Sequence, residues 1–160
     1  MNSPVRLVVF SLDELNYALD LSAVERTVHM VEVTPLPQAP EIVAGVINVQ
    51  GRIIPVLNIR RRFRLPERSV SLSDQLLIAR TQRRTVALAV DAVHSVMEHS
   101  PAEILEPLTV VPGMEYVKGL VKFVDGMIFI HDLDAFLSLE EERALEKAFG
   151  DADAAGPRNG

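Results

Sequence analysis

Four histidines supply whatever imidazole chemistry this chain has: His29, His94, His99 and His131. His94 and His99 are an odd number of positions apart, which on a strand points them to opposite faces. The chain has no cysteine. That excludes a thiol nucleophile, a disulfide framework and Cys-rich zinc sites. His131, Asp132 and Asp134 lie together. With Ser11 or Ser138 they contain the residue types of a hydrolytic triad, but no nucleophile elbow or Gly-rich oxyanion loop accompanies them. Asp132 reads instead as a helix cap. Gly45 and Gly119 stand at strand starts, not before helices, so no phosphate cradle is indicated. These residues predict no catalytic site, no metal and no cofactor. A small-molecule or enzymatic β-barrel would need a concave polar pocket with converging titratable groups.

Charge points the same way. Arg60, Arg61, Arg62 and Arg64 form one basic run and Arg80, Arg83 and Arg84 another, in a chain of net charge −6. A nucleic-acid binder would be basic overall and would interleave aromatics with its cations; only Phe63 is near. The runs read as solvated turns or as a docking patch for a protein. The first residues show no basic region followed by a long apolar run, and no stretch approaches the ~20 apolar residues of a membrane span. The absence of cysteine fits a reducing compartment.

The elements that must position these residues come in two similar sets. Leu7–Val28 reads LVVFSLDELNYALDLSAVERTV and Leu76–Met97 reads LLIARTQRRTVALAVDAVHSVM. Leu19 matches Leu88, Ala23 matches Ala92 and Val24 matches Val93. Gly45–Ile59 (GVINVQGRIIPVLNI) is echoed by Gly119–Leu133 (GLVKFVDGMIFIHDL). An internal repeat sets the architecture before any other signal. Each half predicts short strands: Val5–Leu12, Tyr17–Leu21, Glu25–Val33, Val46–Val49 and Arg52–Leu57, then Asp74–Ala79, Thr85–Val90, His94–Glu98, Val117–Val124 and Met127–His131. Gln50-Gly51 and Asp125-Gly126 are hairpin turns. Pro35, Pro37 and Pro40, and later Pro101, Pro107 and Pro112, mark stiff loops. Pro55 suggests an edge strand or a bulge. Asn58–Phe63 suits one helical turn. Ser138 and Glu141 form a capping box for a helix with Leu145, Ala148 and Phe149 on one face, stopped by Gly150. The expected organisation is a single domain over 1–150. Its first barrel spans about 5–68 with a C-terminal return, its second about 69–132, and a C-terminal helix follows over 133–149. A disordered tail is expected over 151–160. Val24, Val28, Ile47, Val93 and Val121 are apolar positions on repeated strands, and a groove between barrels needs an apolar floor.

The segments VVFSLDELNYALDLSAVERTV, VAGVINVQGRIIPVLNIRRRF, VALAVDAVHSVM and YVKGLVKFVDGMIFIHDLDAF resemble the CheW family of chemotaxis coupling proteins. Gly45, Asn48, Gly51, Pro55 and Arg60 match the family's most specific motif, and Gly119 and Gly126 hold the echoing positions. The resemblance implies an all-β fold: two five-stranded, SH3-like barrels related by a pseudo-twofold, with a short C-terminal helix. It implies a non-enzymatic, cytoplasmic adaptor at membrane-associated receptor arrays. One implied partner is the regulatory domain of a CheA-type histidine kinase, met through Ile59, Arg60 and Arg62. The other is the cytoplasmic hairpin tip of a methyl-accepting chemoreceptor, met through Val24, Arg26, Val28, Ile47, Gln50, Val93 and Val121. The alternative is an interaction module of another chemosensory or motility pathway. The family commonly has Glu and Arg where this chain has Arg26 and Gln50, which bears on receptor specificity.

Overall fold

The computed structural model describes residues 3–68, 71–106, 116–123 and 126–154. Ten strands fill two five-stranded sheets: β1 (Val5–Leu12), β2 (Leu15–Asp20), β3 (Val24–His29), β4 (Val43–Val49), β5 (Arg52–Leu57), β6 (Gln75–Arg80), β7 (Thr85–Val90), β8 (Ala92–His99), β9 (Val117–Phe123) and β10 (Gly126–His131). One sheet runs β8-β1-β2-β10-β9 and the other β3-β6-β7-β5-β4. Exchanging β1–β5 with β6–β10 turns the first order into the second, so the repeat is a pseudo-twofold of the fold. The sheets are not the two sequence halves, however. One is the continuous stretch from β3 to β7. The other joins β1 and β2 to β8, β9 and β10. The division at about residue 68 is therefore replaced by one in which the second sheet is nested within the first.

The apolar runs follow from this arrangement. In β1, Leu7 and Val9 belong to the interior of their own sheet, while Val8, Phe10 and Leu12 join a central core. In β6, Leu76 and Ile78 line the other interior, while Leu77 and Ala79 join the same central core. Side chains alternate along a strand, so a strand between a barrel interior and a shared interface must be apolar on both faces. Helix α1 (Leu139–Ala154) covers the central core with Leu145.

Each sheet curls until its edges meet. Thr34 exchanges backbone bonds with Val46 of β4, at 2.8 and 2.7 Å, and Leu105 does the same with Leu120 of β9, at 2.8 and 2.8 Å. Curling uses a bulge at matching places. Glu25 is the extra residue in β3, and β8 carries one extra residue between Val93 and Val96. Ala44 and Lys118 are the extra residues just before Gly45 and Gly119. Closure also explains those two glycines. A Cβ at Gly45 would lie 2.4 Å from the Thr34 carbonyl oxygen, and one at Gly119 would lie 2.9 Å from Ile104 Cγ2.

Several local expectations change. β3 stops at His29, because the chain beyond it leaves β6 and crosses to β4 at Thr34. β5 is an inner strand, so Pro55 is not at an edge. It is tolerated because Val46, opposite it, directs both backbone groups to Thr34, and the parallel pairing with β7 begins only at Val56. The helix does not stop at Gly150 but continues to Ala154. Gly150 is exposed and not left-handed, so it costs propensity without ending the helix. The capping box forms as expected: Ser138 Oγ accepts from Glu141 N at 3.1 Å, and Glu141 Oε1 accepts from Ser138 N at 2.9 Å. The turn after β5 closes with Phe63 N donating to Ile59 O at 3.1 Å. Asp125, Pro107, Pro112 and the tail 155–160 lie outside the described residues.

Candidate functional site

The site residues separate by burial. Ile47 and Val121 are each 1 % exposed and lie in the interiors of the two sheets. They are mates under the pseudo-twofold and present nothing to a partner, so their place in the receptor groove is withdrawn. Val24 and Val93, also mates, are half-buried against the central core, and Val28 is half-buried against the interior of its own sheet. Arg26 and Gln50 are fully at the surface.

Arg26 and Gln50 meet across a closure point. Gln50 occupies a left-handed turn position with φ 52°, followed by Gly51 with φ 85°. Positive φ at both central residues is the hairpin geometry that matches strand twist. Asn48 Oδ1 accepts from Gly51 N at 2.8 Å and fixes the tip. The bulge in β3 brings Glu25 and Arg26 both to this tip. The Arg26 guanidinium donates to Gln50 Oε1 at 3.3 Å. Arg52 donates to Glu25 at 3.0 and 3.5 Å, and also to Thr85 Oγ1 at 3.0 Å. The Arg52 hydrogen bond holds the Glu25 carboxyl below its usual range. The Glu25–Arg52 pair escapes a sequence reading because nothing in the residue order announces the bulge. Ile53, on the opposite face of β5 from Arg52, is 55 % exposed.

The residues expected to meet a kinase are placed differently. Ile59 is 0 % exposed and belongs to the central core. Arg60 is buried and forks onto Asp13, with two bonds of 2.8 Å. It also reaches Asp91 at 3.0 and 3.3 Å and the Pro66 carbonyl at 3.1 Å. Its job is internal: it ties the β1–β2 turn to the β7–β8 turn. Both are corrected from docking residues to structural ones. Their sequence signal, an apolar residue before a basic run, was the same either way. The Arg60 hydrogen bond holds Asp13 below the ordinary carboxylate range. Burial pushes Asp91 up, but the Asp13 N–H and the Arg60 and Arg68 guanidinia outweigh it, so its pKa is lowered. Arg68 pairs with Asp74 at 2.7 Å and with Asp91. Arg62 is bound to Glu141 and donates to the Phe136 carbonyl at 2.8 Å. Arg61 pairs with Glu41 and Glu67 at the surface. Arg84 is half-buried against Glu142 of α1 at 2.9 Å. Much of the basic content of both runs is thus committed within the molecule.

The residues of the imagined triad do not assemble. Ser11 Oγ lies 3.0 Å from Nε2 of His94, not of His131. Asp132 accepts from Asp134 N at 3.1 Å, as a cap, and Asp134 accepts from Gln82 N at 2.8 Å. Those carboxylates line a recess of about 200 Å³ with Asp20, Arg80, Lys118 and His131. Asp20 is likewise spent on Ser22 N at 3.0 Å. Such a volume falls below the usual ~300–1,000 Å³ of a ligand pocket. Among the described residues no cluster of three His, Asp or Glu could hold a metal ion. No helix of the described residues is long and apolar enough to cross a membrane.

His131 is buried. Its ring packs on Phe63 at 4.2 Å, Tyr17 at 5.2 Å and Phe136 at 5.9 Å, and Nδ1–H donates to the Phe129 carbonyl at 3.1 Å. Burial pushes its pKa from 6.5 down to about 4. Its folded pKa lies below the unfolded one, so the unfolded state binds more protons and stability falls as pH drops from 6.5 towards 4. Between about pH 7 and pH 5 the expected loss is on the order of 2 kcal/mol. Urea titrations at the two pH values should show it, and His131→Phe should abolish most of the difference. A His131→Phe protein with an unchanged pH slope would assign the loss elsewhere. Asp13 and Asp91, with lowered pKa values, add their own loss only at lower pH, as they are protonated.

A polar hairpin tip thus lies against one bulged strand edge. The CheW-like domain model matches residues 6–141. The chain belongs to the CheW-like domain family. It is 33% identical over 135 residues to a protein named chemotaxis protein CheW from Thermotoga maritima (strain ATCC 43589 / DSM 3109 / JCM 10099 / NBRC 100826 / MSB8), covering 80% of this chain and 84% of that one. It is 29% identical over 146 residues to one of the same name from Treponema pallidum (strain Nichols), covering 88% and 86%. The crystal structure of the scaffolding protein TtCheW from Thermoanaerobacter tengcongensis superposes with a TM-score of 0.79 at 34% identity, covering 87% of this chain and 96% of that one. The CheW-like fold therefore extends over both sheets, and the nested strand order is the frame on which its surfaces sit.

Proposed function

We propose that the protein is a non-enzymatic chemotaxis adaptor that holds the cytoplasmic hairpin tip of a chemoreceptor against a CheA-type histidine kinase, on the cytoplasmic side of receptor arrays. The observation that carries this reading is the match of both sheets to a protein whose name is that of a scaffold. The exposed Arg26 and Gln50 at the β4–β5 tip support it as the receptor side. For the kinase side the turn after β5 leaves Arg61 and Arg64 exposed, and the two ion pairs of Arg61 are at the surface. An adaptor of this kind acts by binding two partners at once, so that receptor state biases kinase state through shared contacts.

The test is reconstitution. Kinase autophosphorylation should rise only when this protein, the kinase and a receptor fragment are combined. Failure to bind either partner defeats the proposal. Arg61→Ala should leave kinase affinity within about threefold and mainly slow association and flatten its salt dependence, as rim charges do. A tenfold weakening would make Arg61 a central contact instead. Val24→Asp is a poor probe of receptor binding, because Val24 packs on the central core and a buried carboxylate there costs folding.

A further inference from the structure

The surface at the β4–β5 tip is locally positive in a chain of net charge −6. Arg52 and Arg80 flank Glu25, and that one carboxylate is occupied by Arg52 and Thr85. Arg26 is different. Among the described residues its partner is a neutral amide oxygen at 3.3 Å, and no carboxylate pairs with it. An amide oxygen satisfies one N–H of a guanidinium that carries five. Arg26 is exposed, so its remaining donors are open to solvent. Gln50 is itself fixed by the hairpin turn, so it orients the fork without neutralising it. A cation so held fits an acidic side chain on a partner.

We propose that Arg26, oriented by Gln50, is a specificity-determining residue of this surface and takes a carboxylate from the partner helix, so that tips bearing an acidic residue at the facing position are preferred. This rests on the receptor-tip reading above. Gln50 acts through Arg26 and is a positioning residue.

The experiment measures binding of a receptor's cytoplasmic hairpin tip, presented on a coiled coil, to four forms of the protein. These are the wild type, Arg26→Gln, Arg26→Lys and Gln50→Glu. Each Asp and Glu of the tip is changed in turn to its amide. Arg26→Gln should weaken the unmodified tip about five- to twentyfold and flatten the salt dependence of Kd. One tip carboxylate should lose the same factor when amidated, with no further loss in the Arg26→Gln background. Arg26→Lys keeps charge without the fork and should fall between. Gln50→Glu leaves Arg26 in place but pairs it internally, and should weaken the tip as much as Arg26→Gln. Thermal melting of each form confirms folding. If Arg26→Gln binds every tip as the wild type does, or if no tip carboxylate couples to it, the Arg26 contact is overturned while the receptor reading stands. A wild type that binds no tip overturns both.

Discussion

Arg60→Leu is expected to cost about 2–3 kcal/mol of stability, measured as a lower urea midpoint with an unchanged slope. Removing one partner of a buried ion pair typically costs ~3–5 kcal/mol because the charge left behind has no compensation. The lower figure is expected here because Asp13 and Asp91 keep part of their contact with water. Arg60→Lys should restore less than half of the loss, since an ammonium cannot reproduce two parallel bonds to Asp13 together with those to Asp91 and the Pro66 carbonyl. Asp13→Asn should be milder than Arg60→Leu, because Arg60 keeps Asp91. The sign of the alternative is clear. If Arg60 served only a kinase surface, Arg60→Leu would unfold at the wild-type midpoint and lose kinase binding alone.

Gly45→Ala is expected to destabilise by about 3 kcal/mol, at the upper end of what overpacking costs. The added methyl would meet backbone, the Thr34 carbonyl oxygen at 2.4 Å, at the point where the sheet closes. Backbone cannot swing aside without giving up the Thr34–Val46 bonds. Gly119→Ala offers the internal control. Its methyl would meet the Ile104 side chain at 2.9 Å, which can yield, so about 1 kcal/mol is expected. Equal losses at the two glycines would show that the close approach at Gly45 is not what selects glycine there.

The repeat, the ten strands and the capping box were legible because each rests on local order: period-two apolarity, turn residues and a Ser–Glu spacing. Strand nesting was not, because both halves offer similar edges and the sequence does not say which half supplies the partner. Ile47 and Val24 show why site residues are harder. Both are apolar residues on repeated strands, and pattern alone cannot tell an interior position from a half-exposed one. Arg60 shows a second limit. Its partners Asp13 and Asp91 come from turns far apart in sequence, and each alone reads as an ordinary polar turn residue. The Arg26–Gln50 contact could be anticipated, because both positions depart together from the family's usual pair. The neighbouring Glu25–Arg52 pair depends on a bulge that only pairing register reveals.

The nesting of one sheet inside the other also sets an order of events during synthesis. The strands from Val24 to Val90 form a complete sheet from one unbroken stretch, so it can close as soon as Val90 has cleared the ribosome. β1 and β2 precede that stretch; β1 gains its second partner, β8, once His99 is made, whereas β2 gains β10 only when His131 arrives. A lone two-stranded hairpin is marginal in water, and at ~5–20 residues per second the wait lasts seconds. During that interval the free edge of β2 is sheltered only by what the early sheet offers. Strand β2, made before the early sheet, is therefore among the last to reach its final hydrogen bonds, and it is the segment a chaperone would find open.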